Sequence, residues 1–237
     1  MIDIHSHIIP GVDDGTSSLE EAIEMIMMAI DQDVNKIILT PHSNQRHRFE
    51  NYYPKIKEDY KNLVNEVKKL NLDIDLYLGM EIFASEDIVQ KIQNKQLIGL
   101  NFSQYYLLEF PFHASSNDIS SILNQVLELN IIPIIAHPER YDCIINKPET
   151  VLFWVKMGCL LQVNQGSLFN YFGKKVKQTA HILLRNKLAH FIASDCHDIE
   201  FRIPLTQDIQ DLLELTYGMD YTYDLLYWNA KKLLDLT

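Results

Sequence analysis

Short apolar runs rich in β-branched residues alternate with longer stretches of helical period along the whole chain. The runs at 1–4, 36–40, 74–78, 105–108, 131–136, 160–163 and 191–193 read as strands. Between the first two, Leu19–Asp33 places Leu19, Ile23, Ile26, Met27 and Ile30 close to helical spacing. Ser17 or Ser18 would cap that helix, and Glu20 and Glu21 suit its first turn. Pro54–Leu70, Ser85–Gln93, a segment capped by Asn117 or Asp118 and running to about Leu129, Pro148–Met157, Lys174–Asn186 and the chain beyond about Gln207 read as the other helices. Such alternation predicts an α/β fold with a parallel sheet. A chain of 237 residues suits one domain spanning 1–237, and a barrel of that size would be ordinary.

Composition narrows the class. Hydrophobic residues make up 47% and charged residues 22%, the balance of a soluble globular protein. There is no apolar run of about 18 residues, so no membrane-embedded helix is expected. The N-terminus lacks a basic region followed by an apolar core, so no signal peptide is expected either, and the cytoplasm is the expected compartment. A net charge of −11 lacks the basic footprint of a nucleic-acid partner. Cys143, Cys159 and Cys196 are odd in number and widely spaced, which fits reduced, buried thiols rather than a disulfide framework.

The chemistry is concentrated where the strands end. The first ends in His5 and His7, which lie two apart and so on one side of an extended strand, followed by a Pro/Gly turn carrying Asp13 and Asp14. The second ends at His42, the third at Glu81, the fourth at Glu109, the fifth at His137, and the seventh at Asp195 and His197. In a parallel α/β barrel these ends converge on one face. With Asp14 included, the set is five histidines and four carboxylates, without thiolate, which suits manganese, iron or zinc. It exceeds what one ion can use. The four carboxylates carry −4, so two divalent ions would leave the cluster neutral and three would leave a positive centre attractive to a phosphate dianion. Arg140, in His137-Pro138-Glu139-Arg140, and Arg202 sit beside ligands, and a guanidinium offers a planar fork matched to phosphate oxygens. His47, His113, His181 and His190 fall outside the strand ends and read as structural, while Gln162 and Asn164 stay unassigned.

These residues carry a pattern that resembles the PHP superfamily of metal-dependent phosphoesterases. Within it the chain is most similar to the bacterial manganese-dependent protein-tyrosine phosphatases of capsule and exopolysaccharide operons. The carriers are DIHSHIIPGVDDG at Asp3–Gly15, TPH at Thr40–His42, Gly79-Met80-Glu81, LLEF at Leu107–Phe110, IAHPERY at Ile135–Tyr141 and SDCH at Ser194–His197. The resemblance implies a distorted (β/α)7 TIM-like barrel, the PHP fold, holding three divalent ions, manganese above iron or zinc. His5, His7, Glu81 and Asp195 would hold the first ion. Glu81, Glu109 and His137 would hold the second, and Asp14, His42 and His197 the third. Histidinol-phosphatase relatives carry histidines where this chain has Asp14 and Glu109, which favours the tyrosine-phosphatase branch.

The implied reaction is hydrolysis of phosphotyrosine by a metal-bridging hydroxide, with Arg140 and Arg202 on the phosphoryl oxygens. The implied partner is a phosphotyrosine protein, the tail of a membrane-associated bacterial tyrosine kinase. Another PHP phosphoesterase activity, or a non-catalytic partner restraining such a kinase, are the alternatives. Phe49, Tyr52 and Tyr53 could flank a phenyl ring. Cys196 and Arg202 have the Cys-x5-Arg spacing of thiol phosphatases, but the residues between them contain no glycine for a phosphate-cradling loop. Thiol catalysis is therefore not expected.

Overall fold

The computed structural model describes residues 1–235. Nine strands among the described residues run in the order β1 (Ile2–Ser6), β2 (Lys36–Leu39), β3 (His42–Ser43), β4 (Asp75–Leu78), β5 (Glu81–Phe83), β6 (Tyr105–Glu109), β7 (Ile132–Ala136), β8 (Leu160–Asn164) and β9 (Phe191–Ala193). All their pairings are parallel, in a sheet β1-β2-β4 and a sheet β3-β5-β6-β7-β8-β9. The two sheets are one ring with two jogged members. Thr40 and Pro41 separate β2 from β3, where proline has no N–H for the ladder. Gly79 and Met80 separate β4 from β5, and a Cβ at Gly79 would stand 2.7 Å from Leu100 Cδ2 and 3.2 Å from Ile38 Cγ2. The third strand is observed close to the predicted 74–78, and beyond the glycine jog Glu81 opens a short strand of its own.

The ring closes between β9 and β1. Asp195 N–H donates to His5 C=O at 2.9 Å, and His7 N–H donates to Cys196 C=O at 2.9 Å. Below these bonds, the buried Asp3 carboxylate accepts from Ser194 N–H at 3.1 Å. The result is the distorted seven-membered α/β barrel that the resemblance implies.

Helices cover the outside: α1 (Leu19–Asp31), α2 (Lys55–Lys69), α3 (Ile88–Gln93), α4 (Ser116–Leu127), α5 (Asp142–Asn146), α6 (Val151–Lys156), α7 (Gln165–Leu168), α8 (Lys174–Arg185), α9 (Gln207–Tyr217), α10 (Met219–Tyr223) and α11 (Asn229–Leu233). Ser18 caps α1, its side chain accepting from Glu21 N–H. The cap of α4 is Ser115 rather than Asn117 or Asp118, with Asp118 N–H as the donor it satisfies. Asp118 instead serves as an acidic first-turn residue. No helix among the described residues is long and apolar enough to cross a membrane.

The apolar residues form two layers. An outer core between sheet and helices contains Ile37, Leu39, Leu108, Ile135, Leu161, Val163 and Ile192 together with the helix faces. An inner core contains Ile2, Ile4, Ile38, Leu107, Ile134, Ala136, Phe191 and Ala193, with Ala230, Leu233 and Leu234 from the C-terminal helices closing its lower end. The inner layer gives way to polar side chains toward the strand ends, and that change of lining creates the site.

Trp154 of α6 is fully buried in the outer core, and its Nε1 donates to Ser120 Oγ of α4 at 2.8 Å. Trp154→Ala should cost about 3–5 kcal/mol in urea unfolding through the cavity it leaves. A loss under about 1 kcal/mol would contradict the packing described.

Candidate metal centre

Three backbone irregularities bring the strand-end side chains inward. Ile2 and Ile4 face the inner core, so strict alternation would send His5 to the outside. The register of β1 against β2 shifts between Asp3 and Ser6, and that irregularity turns His5 and His7 inward. His137 follows Ala136, another inner-core residue, and its left-handed backbone (φ 33°) redirects its ring to the interior. Asp195 is likewise left-handed (φ 53°). Non-glycine residues in this region cost about 1–3 kcal/mol each and persist where surrounding structure over-determines them.

His5 Nδ1 lies 2.9 Å from Gln162 Oε1. The same oxygen accepts from His137 N–H at 3.4 Å, which fixes the amide with its oxygen toward His5. His5 Nδ1 therefore carries the proton and Nε2 presents a lone pair. His7 repeats the arrangement: its Nδ1 lies 2.8 Å from Asp13 Oδ2, an oxygen that also accepts from His42 N–H at 2.9 Å. The two bare Nε2 atoms face each other at 3.2 Å. Glu81 Oε1 is 3.2 Å from His5 Nε2, Glu81 Oε2 is 3.3 Å from His7 Nε2, and Asp195 Oδ1 is 3.4 Å from each. All four side chains are buried.

Electrostatics report the same unmet demand for positive charge. Burial disfavours the imidazolium at both histidines. Glu81 and Asp195 around His5, and Asp13 beside His7, nevertheless hold both pKa values above the ordinary one. Glu109, pressed by burial and by the neighbouring charge of Glu81, is pushed up to about 8. His137 goes the other way, to about 4, chiefly through burial, and so stays neutral.

Two further groupings adjoin the first. His7, Asp14, His42 and His197 have ligand atoms within 4.8 Å of one another, as do His42, Glu81 and Glu109. His197 Nδ1 donates to Asp195 C=O at 3.0 Å, leaving a bare, buried Nε2 without a hydrogen-bond partner, 3.5 Å from Asp14 Oδ1. His137 Nε2 stands 3.0 Å from Glu81 Oε1 and 3.9 Å from Glu109 Oε1. All nine side chains singled out at the strand ends thus meet at one rim. The partition differs from the one implied by resemblance: His7 also borders the Asp14 group, and His42 rather than His137 completes the grouping with Glu81 and Glu109, His137 reaching it through Glu81 Oε1. The donor set fits divalent cations that accept nitrogen and carboxylate oxygen. Cys196 points instead into the outer core, where burial pushes its thiol up to about 12.

Arg140 and Arg202 both reach this rim at the same Asp195 oxygen. Arg202 Nη2 is 2.5 Å and Arg140 Nη1 3.5 Å from Asp195 Oδ2. Arg202 Nε is buried without a partner. Of the aromatic loop, Phe49 stacks on the His42 ring at 5.3 Å, whereas Tyr52 faces Lys91 and Tyr53 packs edge-on against Phe102. His47, His113, His181 and His190 belong to none of the three groupings.

Sequence reading missed the supports behind the ligands. Gln162 Nε2 donates to Asn164 Oδ1 at 2.7 Å, and Asn164 Nδ2 donates to Asp195 Oδ2 at 2.6 Å. The buried Glu139 accepts from Asn164 N–H at 3.0 Å and Ser167 Oγ at 2.6 Å. Asp13 orients His7. The available signal was that Gln162 and Asn164 lie two apart at the end of the one strand lacking a ligand, so both face the interior.

Comparison with known proteins agrees with this geometry. The family model described as "Capsular polysaccharide synthesis, CpsB/CapC" matches residues 1–235. The tyrosine-protein phosphatase CpsB of Streptococcus pneumoniae is 35% identical over 99% of this chain and 98% of its own length. The putative tyrosine-protein phosphatase CapC of Staphylococcus aureus is 39% identical over 85% of this chain and 79% of its own. A crystal structure from work on Bacillus subtilis YwqE and S. pneumoniae CpsB, described as unique metal-dependent tyrosine phosphatases, superposes with a TM-score of 0.91 at 33% identity, over 99% of this chain and 94% of that one. A β-aspartyl dipeptidase from Fervidobacterium islandicum, at 11% identity and a TM-score of 0.59, shares the fold alone. With a match that runs from its first described residue to its last, this chain belongs to the CpsB/CapC family of capsular polysaccharide synthesis proteins.

Proposed function

We propose that this chain is a metal-dependent protein-tyrosine phosphatase. The observation that carries the reading is the pair of bare imidazole nitrogens 3.2 Å apart, ringed by Glu81 and Asp195 and flanked by two arginines. Three divalent ions, manganese above iron or zinc, are the complement we assign. His5, His7, Glu81 and Asp195 would hold one, Glu81, Glu109 and His137 a second, and Asp14, His42 and His197 the third. Such ions activate water for attack on phosphorus and neutralise phosphoryl charge.

The protein's own part is to hold these side chains and to receive the phosphoryl group. Asp13, Gln162 and the Asp195 carbonyl fix which imidazole nitrogen faces inward. Arg140 and Arg202 take two phosphoryl oxygens by charge-assisted hydrogen bonds, and the unspent Arg202 Nε is a further donor on that side. The substrate we assign is a phosphorylated tyrosine on the tail of a membrane-associated tyrosine kinase, dephosphorylated in the cytoplasm. The relatives' names support the phosphotyrosine substrate, and the capsule-synthesis family supports the pathway.

Chelation followed by desalting should abolish hydrolysis of a phosphotyrosyl peptide, and manganese add-back should restore it; full activity in metal-free protein would contradict the reading. Arg140→Ala and Arg202→Ala should each lower kcat/KM by about 100-fold or more with metal content unchanged. Near-normal turnover in both variants would remove the arginines from the mechanism. Because the Cys196 thiol ionises only near 12, it stays protonated at neutral pH, and iodoacetamide at pH 7.5 should leave activity intact. Rapid inactivation that tracks alkylation of Cys196 would instead point to thiol chemistry.

A further inference from the structure

Arg140 is held between two aromatic rings. Its guanidinium carbon lies 4.6 Å from the centre of the Phe112 ring and 4.3 Å from that of Phe172. The rings come from separate segments. Phe112 follows β6, and its carbonyl accepts from Asp142 N–H at 2.9 Å at the start of α5. Its ring also lies 6.0 Å from that of His137 and 6.1 Å from that of Tyr141, so it is packed from behind. Phe172 follows α7. The turn that carries it folds back over Gly166, where a Cβ would stand 2.9 Å from Tyr171 Cδ2 and 3.2 Å from Phe172 Cε2. Tyr171 N–H donates to Gly166 C=O at 2.9 Å and closes that turn.

The same turn reaches the residue that precedes the other arginine. Tyr171 stacks on Phe201 at 5.1 Å and 30°, and Phe201 immediately precedes Arg202. Both rings are substantially exposed, as is Phe112. Exposed aromatic side chains at a polar rim gain little from burial, so packing alone does not account for this arrangement.

We propose that Phe112 and Phe172 are positioning residues that clamp the Arg140 guanidinium in its phosphate-binding orientation before substrate arrives. This rests on the reading of Arg140 as a phosphoryl ligand. A free arginine side chain samples many rotamers and would lose that freedom on binding. Held between two ring faces, each attracting the cation, it is ordered in advance, and the phosphoryl group meets a fork already aimed at the cluster. Leucine would keep much of the apolar bulk but supply no π-face. Tyrosine would keep both.

The test is a double-mutant cycle on the manganese-loaded full chain, read as kcat/KM on a phosphotyrosyl peptide and as calorimetric affinity for inorganic phosphate. Phe112→Leu and Phe172→Leu should each lower both quantities by about 5–10-fold, and Phe172→Tyr should restore them. In an Arg140→Ala background the leucine substitutions should change either quantity by less than about 2-fold. Thermal unfolding identifies any variant that has lost its fold, and the two phenylalanines provide independent arms should one fail. Leucine losses of the same size with and without Arg140, or leucine variants as good as wild type, would overturn the clamp. If Arg140→Ala itself leaves turnover and phosphate affinity untouched, the underlying assignment of Arg140 falls first, and the clamp falls with it.

Discussion

Too many acceptors in too little space is the constraint on which this structure turns. His5 Nε2, His7 Nε2, Glu81 and Asp195 bring lone pairs and negative charge within 4.8 Å of one another in a buried pocket. Neither hydrogen bonding among themselves nor bulk water can satisfy them, because their outward-facing atoms are already committed. Asp13, Gln162 and the Asp195 carbonyl take the protons from the far side of three histidines. Only positive charge placed among them makes the arrangement favourable. The barrel sustains it by over-determining the backbone: a register shift in β1 and a left-handed residue at His137 aim side chains where regular strands would not.

The overall charge of −11 would by itself repel a phosphate dianion. On the proposed reading this is reversed locally: cations in the cluster and two arginines at its edge would supply a positive floor and wall, and Asp195 contacts His5, His7, Arg140 and Arg202 alike. A residue shared in this way would couple the geometry of the proposed metal pocket to that of the proposed phosphate pocket. Gln162 and Asn164 extend the coupling across the barrel from His5 to Asp195.

The convergence of the candidate ligands was legible in the sequence because a parallel barrel gathers strand ends, so residues such as Glu81 and His137 needed only to be placed on strands to be placed together. Strand positions were legible for the same reason that β-branched runs stand out between amphipathic helices. Less legible were features set by close approach. The Gly79 jog that separates β5 from β4 depends on Leu100 and Ile38, which are distant in the chain. The register shift that turns His5 inward leaves no mark in the alternation of Ile2, Asp3 and Ile4. Short helices such as α5 and α7 are too brief to show a period. Asp13, Gln162 and Asn164 escaped because their role is defined by the atom each one faces across the barrel, and spacing alone carries no such information. The phenylalanines beside Arg140 escaped for a related reason, since Phe112 and Phe172 arrive from loops sixty residues apart.

The central claim is that cations occupy the space between these donors. Anomalous diffraction from crystals of manganese-loaded protein, recorded across the manganese edge, tests it most directly. A peak is expected among His5, His7, Glu81 and Asp195, with further peaks beside Glu109 and His137 and beside Asp14, His42 and His197. Fully loaded crystals that show no anomalous density among those nine side chains would contradict it.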